Sequence, residues 1–164
     1  MRTLRVLATA TAVLGTGALV GASLYDAVVL APNLQQGPEA LEHGRLFMTA
    51  ATPANLFRVL SPLTQILLLL ALVANWKDRA CRWALIAGLG ALVATDALTF
   101  AFHYPRLRLM FTSPLSEAPD AVARAAREWA GANLVRVALV LASWSGATYS
   151  LFRIAPADRG AAGA

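Results

Sequence analysis

Four apolar stretches, residues 6–30, 56–76, 83–102 and 131–152, take up most of this chain. Each reaches the roughly 20 residues that a helix needs to cross the hydrocarbon core of a bilayer. Inside that core an unpaired amide or carbonyl costs several kcal/mol, so a spanning segment has to close its hydrogen bonds within itself. The sequence therefore predicts an all-α, four-transmembrane-helix bundle. Composition agrees: 58% of the 164 residues are hydrophobic and 14% are charged, against about 25% charged in soluble domains. The chain reads as one membrane domain, 1–164, with helices over about 6–30, 56–76, 83–102 and 120–152. The last starts early because its helical pattern runs unbroken from Pro119-Asp120 to Phe152. At 1.5 Å per residue that is about 50 Å, so it is expected to project two to three turns beyond the outer face.

Net charge is +5, but the arginines sit at helix ends and not on one polar face, which argues against nucleic acid. Arg2, Arg5, Lys77, Arg79, Arg82, Arg153 and Arg159 fall on one side of the four runs, and Arg45, Arg106, Arg108, Arg124 and Arg127 on the other. The excess of seven over five puts both termini on the cytoplasmic side by the positive-inside rule. Trp76 and Trp83 flank the proposed cytoplasmic turn, where interfacial tryptophans belong. The first apolar run outlasts the roughly 7 to 15 residues of a signal-peptide core, so it reads as a retained helix. The expected partner is the lipid bilayer. The Ala/Arg-rich composition is of bacterial type, so the expected location is a bacterial cytoplasmic (inner) membrane. Gly17 and Gly21, and Ala138, Ala142 and Gly146, offer small-residue faces. They are read first as contacts within the bundle and second as a homo-oligomer interface.

Punctuation sits in the two outward loops. Pro32-Asn33 is expected to end the first helix, Thr52 to cap the second with Pro53 in its first turn, and Pro105 to stop the third. Ser113-Pro114 belongs to the second long loop. Pro62 should kink the second helix just below Arg58.

Polar residues cluster in depth. Asp26, Arg58, Asp96, His103, Asn133 and Arg136 all fall in the outer half of their helices, and the inner halves carry no comparable group. A charge on an inserted helix is expensive, so these groups should face inward and pair. Spacing divides them into a pairing set, Asp26, Arg58 and Asp96, and a more reactive set, His103, Asn133 and Arg136. Trp129, Asn133 and Arg136 share one helical face, as do Asp96, Thr99, Phe100 and His103. Asp96 is expected to serve an arginine, since about 10 Å of helix axis separates it from His103. A buried amide one turn from a guanidinium makes a donor site for an anionic oxygen. His103, Asn133 and Arg136 are thus the catalytic candidates. Tyr25, Asp26, Arg58, Asp96, Phe100, Tyr104 and Trp129 are the candidates for contacting a hydrophobic small molecule. Each has a structural reading too: ion pairs as interhelical glue, Asp26 and Arg45 in water, Tyr104 and Trp129 in an aromatic belt.

The chain has no P-loop, dinucleotide fingerprint or nucleophile elbow. One Cys and two His fall short of a structural zinc site, and paired inward histidines or Glu-x-x-His repeats for heme or di-iron are absent. No organic cofactor is expected. A copper or iron ion held by His43, His103 and a carboxylate is the alternative. No inverted repeat or charged pore ring points to a transporter or channel.

The segment from Gly21 through Tyr25-Asp26 to Pro32-Asn33, the Pro62-bearing second helix, the Phe100-to-Pro105 stretch and Trp129-x-x-x-Asn133-x-x-Arg136 together carry a likeness. The chain resembles the small four-helix membrane proteins described as anthrone oxygenase-like. In that family an aromatic residue is followed by Asn or His and then Arg, so Asn133 and Arg136 carry over. The resemblance implies oxidation of an activated aromatic or quinol-like methylene by dioxygen without an organic cofactor. In that scheme His103 is the base, and Arg136 and Asn133 stabilise the enolate. A non-catalytic bundle that binds a lipid, a quinone or a partner protein is the competing expectation.

Overall fold

The computed structural model describes residues 2–112 and 119–155; Arg159 and Ser113-Pro114 lie outside them. Five helices follow one another. Helix α1 spans Arg2–Leu34, α2 Pro38–Phe47, α3 Pro53–Ala74, α4 Arg79–Thr112 and α5 Pro119–Ile154. All but α2 are long and apolar enough to cross a membrane. Large side chains such as Leu14, Val59 and Val73 are about 70% exposed, an outward face that suits lipid.

Local chemistry sets the boundaries. Asp78 caps α4 by accepting from the Ala80 and Cys81 amides at 3.1 and 3.2 Å. Thr52 opens α3 as expected: its amide and hydroxyl donate to Asn55 Oδ1 at 3.1 and 2.8 Å, with Pro53 in the first turn. Gly37 precedes Pro38 with φ of 126°, a backbone region that only glycine enters freely.

Two prolines depart from expectation. Pro32 does not end α1 at residue 30, and Pro105 does not stop α4. Each lies two residues past a five-residue π-helical turn, Asp26–Leu30 in α1 and Thr99–His103 in α4, and the helix resumes through it to Leu34 and to Thr112. Proline lacks an N–H and crowds the carbonyl four residues back. A π turn shifts that carbonyl out of register, so the helix continues.

The helices pack as a closed ring in the order α3, α1, α5, α4, with α4 returning to α3 and α5 in broad contact with both α4 and α1. The tightest approach is between α4 and α5. A Cβ on Gly146 would lie 2.5 Å from the Ala84 carbonyl oxygen, and one on Gly88 3.1 Å from that of Ser143. Gly146 is thus used within the chain, whereas a Cβ on Gly21 meets nothing within 4 Å.

Two apolar cores result. The inner one gathers Ala12 and Leu19 of α1, Leu68 of α3, Leu85 and Leu92 of α4, and Val140 and Ala147 of α5. The outer one gathers Ala31 and Leu34 of α1, Leu41 of α2, Met110 of α4, and Val122, Ala125 and Trp129 of α5. With 36 residues, α5 is about 54 Å long. Its outer turns, predicted to overhang the membrane, are covered by α2 and the end of α4. Arg45 of α2 fastens this cap by donating to the Met110 carbonyl through Nε at 2.9 Å and Nη2 at 2.5 Å. At the opposite end Arg82 stacks over Trp76 at 5.3 Å and Trp83 at 6.0 Å.

Candidate functional site

A polar layer separates the two cores at the same level on three helices: Asp26 on α1, His103 on α4, and Asn133 and Arg136 on α5, each at most 4% exposed. Regular helical spacing puts Asp26 there, and a π turn puts His103 there. On α1 the buried positions Ala12, Thr16, Leu19, Ser23 and Asp26 alternate intervals of four and three, and the next, Ala31, comes five later. That interval of five spans the first π turn. On α4, Thr95, Thr99 and His103 are buried at two successive intervals of four. On a straight α-helix they would drift by about 80°. The wider π turn absorbs the drift and keeps His103 inward. It also breaks the expected face, because Phe100 turns outward with 66% exposure and packs edge-on against Tyr104 at 5.2 Å.

Pairing follows different lines from those expected. Arg136 Nη2 donates to Asp26 Oδ2 in a buried ion pair, and its guanidinium lies 4.4 Å from the centre of the Phe57 ring. Asp26 is therefore not solvated, and its partner comes from the set read as reactive. Asp96 meets no arginine. It accepts from Ser61 Oγ at 2.7 Å and Gln65 Nε2 at 2.5 Å, a pair one helical turn apart on α3 that comes within reach because α3 lies alongside α4. Arg58 lies 5.7 Å over the Tyr104 ring.

His103 Nε2 lies 3.2 Å from the Asn133 side-chain oxygen and Nδ1 3.4 Å from the Leu98 carbonyl. In one arrangement Nε2–H donates to Asn133 Oδ1. In the other, with the amide reversed, Asn133 Nδ2 donates to Nε2 while Nδ1–H donates to Leu98. Trp129 packs edge-on against the imidazole at 6.5 Å.

Above this layer lies a cavity of about 430 Å³, within the range of roughly 300–1,000 Å³ typical of small-molecule sites. Its floor includes Asp26, His103, Trp129 and Arg136, its walls are mostly apolar, as at Phe57, Leu107 and Phe111, and Arg58, Tyr104 and Arg108 also line it. Two residues that line it carry a buried donor without a partner, Trp129 Nε1 and Arg136 Nε; Asn133 Nδ2, behind His103, is a third such donor when Oδ1 faces the imidazole. Buried donors are rarely left unmet, and each costs about 1–3 kcal/mol.

Six of the ten predicted site residues thus line the cavity: Asp26, Arg58, His103, Tyr104, Trp129 and Arg136. Asn133 stands directly behind His103. Tyr25, half exposed, Phe100 and Asp96 are not among the lining residues. His43 is exposed on α2, and among the described residues no three of His, Cys, Asp and Glu come together as metal ligands. The expected His43–His103 site is therefore not assembled. Thr99, read from spacing as sharing the face of His103, lines the cavity too; Phe57, Met48 and Arg108 were not foreseen, and a Phe one residue before Arg58 was the available signal for the first. No protein-family model, curated protein or solved structure matches this chain.

Proposed function

We propose that this chain is an enzyme of a bacterial cytoplasmic membrane, with both termini in the cytoplasm, that oxidises a hydrophobic aromatic or quinol-like molecule held in the outer-leaflet cavity. The observation that supports it best is the pair of unpartnered donors, Trp129 Nε1 and Arg136 Nε, in the lining of an apolar cavity. They suit a ligand that is flat and apolar but carries an acceptor oxygen. The likeness to anthrone oxygenase-like proteins supplies the reaction: an activated methylene and O2 give a carbonyl and water. The substrate oxygen accepts from Arg136 Nε and Trp129 Nε1, and developing enolate charge is stabilised there. In the tautomer whose Nδ1–H donates to the Leu98 carbonyl, ligand entry frees His103 Nε2 from Asn133 and its lone pair takes the methylene proton. Asp26 positions Arg136, and Trp129 and Phe57 set the plane of the ring. Purified protein in nanodiscs, supplied with anthrone, should consume oxygen, and Arg136→Ala should slow this by about 100-fold, the usual effect of removing one oxyanion donor. Uptake by Arg136→Ala at the wild-type rate would overturn the assignment.

One observation favours a second reading. When Asn133 Nδ2 donates to His103 Nε2 and Nδ1–H donates to the Leu98 carbonyl, no ring lone pair stands free at rest, as suits a non-catalytic carrier of a quinone or lipid. Saturable anthrone binding without oxygen uptake would select it.

A further inference from the structure

The cavity is not uniformly apolar. Arg58 and Arg108, both exposed, line it from α3 and from the continuation of α4 beyond Pro105. Their exposure, beside the buried floor of Asp26, His103 and Arg136, places them at its rim. The three buried or surface ion pairs among the described residues involve Arg106, Arg136 and Arg153. Neither rim guanidinium has a carboxylate partner among them, although Asp26 and Glu128 hold two nearby arginines. The buried floor presents Trp129 Nε1 and Arg136 Nε, unpartnered in residues 2% and 4% exposed. The site therefore has a polarity set by burial: charged, exposed donors from Arg58 and Arg108, an apolar lining, and buried donors from Trp129 and Arg136.

From this polarity we infer that the ligand is an anionic amphiphile, its carboxylate or phosphate held between Arg58 and Arg108 and its apolar body lying in the cavity. Guanidinium is the group best matched to such heads, because its planar fork donates two parallel hydrogen bonds to a pair of oxygens. The floor donors then meet an uncharged oxygen on the far end of the body, since Asp26 already neutralises Arg136. Tyr104, stacked against Arg58, covers the aliphatic part of the entrance. This rests on the cavity being a ligand site, as proposed above, and adds the charge and the orientation of what enters it. Such a molecule is either a free acid or an anionic phospholipid of the outer leaflet; both offer the same chemistry to the rim.

The test uses quenching of Trp129 fluorescence in full-length protein in phosphatidylcholine nanodiscs, titrated with 12-bromostearic acid, with its methyl ester, and with brominated phosphatidylglycerol. Trp129→Phe identifies the saturable component that belongs to the cavity. The acid or the phosphatidylglycerol should bind at least 10-fold more tightly than the ester, and Arg58→Gln/Arg108→Gln should abolish that preference while leaving ester binding unchanged. Saturation by the acid alone identifies a free amphiphilic acid, and saturation by phosphatidylglycerol identifies a lipid. Equal binding of acid and ester, unaffected by the double substitution, would overturn the anionic head and leave the cavity standing. No saturable quenching by any of the three would overturn both.

Discussion

Separating Asp26 from Arg136 is the most informative perturbation of the fold. The two side chains are 2% and 4% exposed, so each depends on the other to offset its desolvation. Deleting one partner of a buried pair strands a charge, at a cost of about 3–5 kcal/mol. Asp26→Asn and Arg136→Gln should each show a loss of that size, with Arg136→Gln at the upper end because it also gives up the stack on Phe57. The double variant strands nothing, so its loss should stay well below the sum, giving a coupling of about 2–3 kcal/mol. Equilibrium unfolding in mixed dodecyl maltoside and SDS micelles, followed by far-UV circular dichroism, reads all four corners of the cycle. Neutral hydrogen bonds between membrane helices average about 0.6 kcal/mol. A coupling at or below that figure would refute a desolvated ion pair between α1 and α5.

Other outcomes follow from the same coordinates. Gly146→Ala drives a Cβ to 2.5 Å from the Ala84 oxygen, so α4 and α5 must separate at a cost of about 1–3 kcal/mol. Gly21→Ala meets open space and should be neutral or stabilising by up to about 1 kcal/mol, both measured by the same unfolding. Asp96→Ala should cost about 1–3 kcal/mol through the Ser61 and Gln65 hydrogen bonds it strands, yet leave anthrone binding unchanged, because Asp96 is not part of the cavity. In the turn before α4, the Cys81 amide, with help from Arg153, holds the Asp78 carboxyl below its ordinary value of 3.8. A lowered folded-state pKa means the carboxylate stabilises the fold above pH 3.8 and loses that contribution as pH falls through the lowered value. The gap in melting temperature between wild type and Asp78→Ala should be constant near neutral pH and close below 3.8.

Hydropathy made the spanning helices legible, because a bilayer permits few alternatives to a closed apolar helix. The cap on α3 was legible too, since Thr52-Pro53 is a local signal. Helix ends at Pro32 and Pro105 were not. Proline announces a break, and nothing in nearest-neighbour sequence says that a π turn just before it will carry the helix through. That omission propagated: an unbroken 3.6-residue period placed Phe100 on the His103 face, and the structure turns it to the outside. The depth of the polar layer could be read from position along each apolar run, which is why Asp26, His103, Asn133 and Arg136 were singled out together. Which carboxylate met which arginine could not, because Asp26 and Arg136 are 110 residues apart and helix order decides the pairing. Asp96 was no exception. Ser61 and Gln65 lie four apart on one face of α3, and only the packing of α3 alongside α4 makes them its neutral partners in place of the expected arginine.

The indole N–H of Trp129 offers the most direct test of the cavity as a ligand site. It is buried without an acceptor, and the account gives it one when a ligand binds. In ¹⁵N-labelled protein the Trp129 indole resonance, assigned by its loss in Trp129→Phe, should move downfield and saturate as anthrone is added, while those of Trp76 and Trp83 stay in place. A Trp129 signal that does not respond, with only the interfacial tryptophans shifting as anthrone partitions into the bilayer, would contradict it.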